Sequence, residues 1–367
     1  MKKLKIATLG ILALLLILPA SLKAELLFST SQNTITITGS NPKASGNLVI
    51  PSTINNLPVT SIGRYAFQYC SGLTSVTLPS SITSIGERAF WACTGLTSVT
   101  LPSSITEIGE RAFWGCSGLK GITVDIANST YSSNDGILFN KAQTSLIAFP
   151  GGKTGAYTIP NSVTSIGNGA FNGSTGLTSV TLPSSITSIG QETFSRCSGL
   201  TSVYFMGNAP DTDSYIFENS FNLTVYHSPD SAGWGATFAN RPTALWFADG
   251  LLGSINGNAI TITGRNPKPT GDLIIPSTIN GLPVTSIGDS AFYGSYELTS
   301  ITIPNSITSI GEAAFYGCSG LTSITIPSGV TFIGSEAFMW CDGLTGVYFL
   351  GNAPAKGYGV FGGVLGA

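Results

Sequence analysis

The sequence predicts a β-rich solenoid of stacked 23-residue repeats, and three observations carry that prediction. A 23-residue unit recurs along most of the chain, its apolar residues fall at fixed places in every copy, and its last part alternates apolar with small polar residues. Composition points the same way: 42% of the 367 residues are hydrophobic and only 9% charged, with 45 glycines and 19 prolines. Abundant Ser, Thr, Gly, Ile and Leu suit short strands separated by turns better than long helices. A net charge of −2 supplies no field to attract nucleic acid or an anionic membrane.

The first 24 residues are set apart from the fold. Met1 to Lys5 hold three lysines, Ile6 to Ala20 form a mainly apolar run interrupted by Thr8, Gly10 and Pro19, and the segment closes on Ala24. This is the pattern of a signal peptide, residues 1–24, whose apolar run is short for a membrane span. The expectation is an exported chain, secreted or held at the cell surface, with no membrane span after cleavage.

The repeat opens on Val59 (VTSIGRYAFQYCSGLTSVTLPSS), Ile82 and Ile105, and the same unit restarts at Val163, Ile186, Val284, Ile307 and Val330. Counting the leading Val or Ile as position 1, apolar residues recur at positions 1, 4, 8, 9, 12, 15, 18 and 20; in the second copy these are Ile82, Ile85, Ala89, Phe90, Cys93, Leu96, Val99 and Leu101. A single 23-residue unit cannot bury so many groups, whereas stacked copies set each against its equivalent one turn along. The Leu-Thr-Ser-Val-Thr-Leu segment has the period-2 pattern of a strand with one buried face, and the following proline ends it. A second short strand is expected at Ile-Thr-Ser-Ile, stopped by glycine, and the Ala-Phe pair is expected in a compact turn or short helix.

The motif I-x-x-I-G-x-x-A-F-x-x-C-x-x-L-x-x-V-x-L-P resembles the BspA-like class of leucine-rich repeats found in bacterial surface and secreted proteins, over most of the chain after residue 24. The resemblance implies a leucine-rich-repeat solenoid and a binding or adhesive role whose partner differs from member to member.

A larger duplication overlies the repeat. Asn33 to Gly63 returns as Asn258 to Gly288, an offset of 225, and Tyr204 to Pro210 returns as Tyr348 to Pro354. We therefore expect two tandem arrays: a cap over 25–58, an array over 59–210 with a degenerate insert at 125–162, a C-terminal cap over 211–246, a linker at 247–257, a second cap over 258–283, a second array over 284–354, and a short tail, 355–367. The tail lacks counterparts of Trp234 and Trp246 and so reads as truncated, with lower stability expected at that end.

Six cysteines in an exported chain suggest disulfides, but Cys70, Cys93, Cys116, Cys197, Cys318 and Cys341 all stand at position 12, where Ser174 and Ser295 replace them in other copies. Buried free thiols filling one core column fit that placement better than bridges. His227 is alone and supplies no metal cluster or catalytic dyad, and the glycines form no phosphate loop. Catalytic residues, metals and cofactors are therefore expected to be none; an enzyme of unrecognised type stands only as a third alternative.

Candidate binding residues cluster at the bend. Trp91 and Trp114 occupy position 10 of successive copies, flanked by Arg88 and Arg111, and Tyr293 and Tyr316 occupy it later in the chain. Aromatic and arginine side chains dominate protein-binding hot spots, although the same rings could simply cover the bend. The leading expectation is a secreted or cell-surface protein that binds an extracellular, host or matrix protein without catalysis. The alternative is a self-assembling structural or envelope component.

Overall fold

The computed structural model describes residues 24–213, 215–247 and 249–364. The expected signal peptide therefore lies outside the described residues, Ala24 apart, as does the end of the tail from 365.

The chain winds into a β-solenoid of about 14 turns. Each regular turn lays down two parallel strands. The first is short, at positions 3 and 4: Ser61-Ile62 pairs with Ser84–Ile85, which pairs with Glu107–Ile108. The second is the Leu-Thr-Ser-Val-Thr-Leu segment: Leu73–Thr77, Ser98–Leu101 and Gly121–Val124 stand side by side, with Val76, Val99 and Ile122 in register. The eight apolar positions behave as a set, and in the second copy all of them, Ile82 through Leu101, are at most 1% exposed. The phenylalanine of position 9 is the large filler, and Phe67, Phe90 and Phe113 stack at 5.5 and 5.6 Å.

No helix occurs among the described residues, so of the two forms expected for the Ala-Phe segment the turn is the one found and the short helix is not. Its hydrogen bonds explain why. Arg88, Phe90 and Ala92 donate their N–H groups to Glu110, Ala112 and Trp114 of the next turn, while Ala89, Trp91 and Cys93 donate to carbonyls three residues back. A helix would keep all of these bonds within the segment; here every second one ties neighbouring turns together. The alternation is made by left-handed residues at positions 7 and 11, such as Arg88 (φ 52°) and Ala92 (φ 56°). The turns pack so closely after the first strand that a Cβ at Gly109 would stand 2.3 Å from the Glu87 nitrogen, which accounts for the glycine at position 5.

The insert is an antiparallel meander. Tyr131–Asn134 and Ile137–Asn140 form a hairpin, and Ser145–Ala148 returns the chain to the parallel stack by pairing with Ser165–Ile166. Asn128 anchors its start. Fully buried in the place of the usual Val or Ile, it donates Nδ2 to the carbonyls of Pro102 and Ile105 at 3.0 and 2.9 Å and accepts from the amides of Thr130 and Tyr131 at 2.9 and 2.7 Å.

The stretch expected as a linker, 247–257, contains the strand Leu251–Asn256, hydrogen-bonded to Arg241–Trp246 on one edge and Ala259–Arg265 on the other. One 13-stranded sheet consequently runs through the junction, from the long strands before it to the short-strand column after it. The ring of Phe247 helps to seal it, lying where a Cβ on Gly253 would be only 2.6 Å away. The apolar core is divided where the sheet is not: it forms three clusters, bounded near the insert and near the junction. Between 211 and 246, Trp234 packs on Phe205, Phe238 and His227, each at 4.8 to 4.9 Å. Burial holds His227 below the usual histidine range, and its Nδ1 lies 3.0 Å from the Ser228 carbonyl. Towards the C-terminus, Phe361 extends the phenylalanine column by stacking on Phe338 at 5.5 Å.

All six cysteines are buried free thiols. Each position-12 thiol that follows a regular turn donates to the phenylalanine carbonyl 26 residues earlier, as Cys93 does to Phe67 at 3.0 Å and Cys197 to Phe171 at 3.0 Å. Burial pushes the thiols of Cys93 and Cys197 up to about 12, so they are neutral and unreactive in the folded chain.

Candidate functional site

The bend that ties turns together also sets the spacing of the residues it carries. Position-10 side chains project outward beside the left-handed residues, and the turn-to-turn hydrogen bonds hold successive copies at stacking distance. Trp91 and Trp114 accordingly lie with ring centroids 5.5 Å apart and planes 13° from parallel. The Arg88 guanidinium sits over both, 5.8 Å from Trp91 and 5.4 Å from Trp114, and Arg111 lies 5.0 Å over Trp114. These distances fall within the range in which a guanidinium is attracted to an aromatic face.

The cluster reaches further towards the N-terminus than its sequence suggested. Tyr69, at position 11, packs on Trp91 at 4.8 Å, and Tyr65, at position 7, lies 6.2 Å from the same ring. Arg88 donates to the Tyr65 hydroxyl at 2.5 Å and pairs with Glu87 at 3.3 Å. Arg64 lies over the Tyr65 ring and pairs with Glu87 at 3.0 Å, and Lys43 lies 5.2 Å from the centre of Tyr69. Tyr65, Tyr69, Arg64 and Lys43 were legible only by asking which neighbouring positions share the bend. The result is a strip of alternating rings and cations, half-buried at Trp91 and Trp114 and 48% exposed at Tyr69.

Tyr293 and Tyr316 form a second, simpler stack, 4.9 Å apart and 8° from parallel. Position 7 there is Ser290 and Ala313, and among the described residues no guanidinium lies over the rings; Lys268 donates to the Tyr293 carbonyl at 2.7 Å. The phenylalanines next to the two stacks, Phe90 and Phe113 against Phe292 and Phe315, belong to different core clusters. Chemically, both offer flat apolar area, and only the first adds fixed positive charge and hydrogen-bond donors. Among the described residues no three His, Cys, Asp or Glu side chains converge as metal ligands do.

The repeat unit also matches a family model. The BspA-type leucine-rich repeat region matches in six copies over residues 47–154, 147–233 and 273–363. The chain belongs to the BspA-type leucine-rich repeat family. Solved structures similar to this BspA-type chain include a leucine-rich repeat protein of Bacteroides ovatus (22% identity, 94% of this chain and 91% of the other, TM-score 0.42). A leucine-rich cell surface protein of Faecalibacterium prausnitzii is similar at 24% identity over 90% and 95% of the two chains, TM-score 0.36. A leucine-rich repeat protein of T. pallidum is similar at 20% identity over 87% of each, TM-score 0.31. At these identities the likeness concerns the fold. No curated protein matches the chain. Among the described residues, no helix is long and apolar enough to cross a membrane.

Proposed function

We propose that this BspA-type chain is an exported or surface-displayed binding protein that engages an extracellular, host or matrix protein through the bend face carrying Tyr69, Trp91, Trp114 and Arg88. The observation that carries the proposal is the Trp91–Trp114 stack with Arg88 held over both rings. Aromatic rings fixed by their scaffold lose little conformational freedom on binding, and a guanidinium already paired with rings is less hydrated than a free ammonium. Rigid aromatic and arginine clusters are the residues that most often dominate binding energy. Family membership supports export, and a cell surface protein is among the similar structures. The test is binding of the purified chain to immobilised matrix and cell-surface proteins, repeated with Trp91→Ala and Trp114→Ala together; binding lost in the double variant supports the reading, and equal binding removes this face.

A second reading, assembly with other copies, draws on the strand Gly346–Phe349. It pairs with Ser323–Ile326 on one edge only among the described residues, and leaves Tyr348, Phe349 and Leu350 exposed. An apolar strand edge of this kind is a template for pairing with another chain. Light scattering separates the two: concentration-dependent growth favours assembly, and a constant monomer mass favours capture of a different protein.

A further inference from the structure

The hairpin insert breaks the stack beside Trp114, and the break leaves hydrogen-bond donors without acceptors. In the preceding turn the amides of Arg88, Phe90 and Ala92 are taken by the next bend; their counterparts at Arg111, Phe113 and Gly115 find no such carbonyl among the described residues. The phenylalanine column is interrupted at the same level, ending on Phe113 and resuming with Phe149 on Phe171 at 4.7 Å. Between the two bends lies a recess of about 110 Å³, walled by Arg111, Phe113, Trp114, Phe149, Gly169 and Asn172.

Three side-chain N–H groups in this wall are buried with no acceptor: Arg111 Nε, Trp114 Nε1 and Asn172 Nδ2. Asn172 is 94% buried, being only 6% exposed. Arg111 is engaged on one side only, its Nη2 lying 3.3 Å from Glu192. A buried donor without a partner has given up its hydration for nothing, so three around one recess call for an oxygen acceptor as their counterpart. All three are donors. Exposed Glu110 borders the recess and Glu192 pairs with one side of Arg111, yet the Nε edge of that guanidinium stays free beside the aromatic rings, so it is the convergent donors rather than net charge that fit the ligand. That combination selects a small planar anion over a neutral amide or a sugar hydroxyl.

We propose that this recess binds a single carboxylate group, presented by the partner as an acidic side chain or a chain end beside the Trp91–Trp114 stack. The proposal rests on the binding role of that face and specifies the chemistry recognised there. Acetate is the minimal probe. In the full chain labelled with 15N, the Trp114 indole N–H resonance is identified by its loss in Trp114→Phe. Titration with acetate moves it along a saturable curve with a Kd in the range of about 1–30 mM, as expected for so small a ligand. Acetamide, the neutral equivalent, leaves it in place, and Arg111→Gln, with its remaining indole resonances unchanged as the sign of folding, weakens acetate binding at least tenfold. N-acetylglycine and N-acetylglutamic acid α-amide then distinguish a chain end from a side chain by which binds more tightly. An indole resonance unmoved by acetate, or moved equally by acetamide, overturns the proposal. Because no partner enters the titration, the two readings fail separately: acetate binding with no partner capture removes the binding role alone, and partner capture without acetate binding removes the recess alone.

Discussion

Arg88 and Trp114 lie one turn apart, the guanidinium 5.4 Å from the ring centre, and the same guanidinium lies 5.8 Å from Trp91 on its own turn. One cation thus spans two repeats on the face where their rings stack at 5.5 Å. Offset aromatic pairs contribute about 0.5–1.5 kcal/mol beyond the area they bury. A double-mutant cycle with Trp91→Ala and Trp114→Ala, followed by chemical denaturation of the N-terminal block, is expected to return a coupling energy of about that size. Additive losses would mean that the rings do not support one another.

Asn128 is the most demanding single side chain of the insert. Its four hydrogen bonds join two turns to the hairpin, and Asn128→Ala leaves two carbonyls and two amides buried or half-buried without it. The expected loss is about 3 kcal/mol or more. Amide exchange at Thr130 and Tyr131 should accelerate with it, while exchange in the turns after Val284 stays unchanged, since stacked repeats feel chiefly their neighbours.

Serines in the cysteine column make opposite predictions. Ser220 donates to the Phe194 carbonyl at 2.7 Å and accepts from the Cys197 amide at 2.9 Å, so Ser220→Ala is expected to lower stability by about 1–3 kcal/mol. Ser174, equally buried, follows the interruption and its hydroxyl has no partner. Ser174→Ala is therefore expected to be neutral or to stabilise by up to about 1 kcal/mol. Thermal unfolding of the two variants checks both, and equal losses would contradict the distinction.

Alkaline pH should weaken the fold. The thiols of Cys93 and Cys197 and the phenol of Tyr157 are pushed up to about 12 by burial, whereas in the unfolded chain thiols ionise near pH 8.5 and phenols near 10. These groups hold their protons longer when folded, so above about pH 8.5 the unfolded state binds fewer protons and stability falls with rising pH, until the folded groups titrate near pH 12. Below about pH 8 the same groups contribute no slope. Urea midpoints measured from pH 7 to 11 should be flat at first and then decline. Iodoacetamide at pH 8.5 should leave the native thiols unmodified and label all six after denaturation.

The fold was legible because repetition averages out local ambiguity. Eight aligned copies fixed the period, the buried positions and the family, and every apolar position named in the second copy is buried. The Ala-Phe segment was left open between a compact turn and a short helix because the bonds that decide for the turn run to a neighbour 22 residues away, and such bonds leave no local signature. The junction at 247–257 read as a linker because its strand is paired by segments on either side rather than by repeat equivalents. At the candidate site, position 10 announced the Trp91–Trp114 and Tyr293–Tyr316 stacks. Tyr65 and Tyr69 joined the first stack only through the left-handed residues that turn their side chains towards it. The recess beside Trp114 was invisible in the sequence because it arises from the failure of the pattern, where a hairpin replaces a bend.

The measurement that bears most directly on the proposed role is the affinity of the purified chain for the protein it captures, compared with that of the Trp91→Ala, Trp114→Ala double variant. The two forms are first matched for folding by their far-ultraviolet spectra and by unchanged exchange after Val284. Loss of a hot-spot pair predicts an increase in Kd of about 30-fold or more, the equivalent of 2 kcal/mol. An unchanged Kd would contradict the account, leaving the ladder as a covering of the bend and placing the binding surface elsewhere on the solenoid.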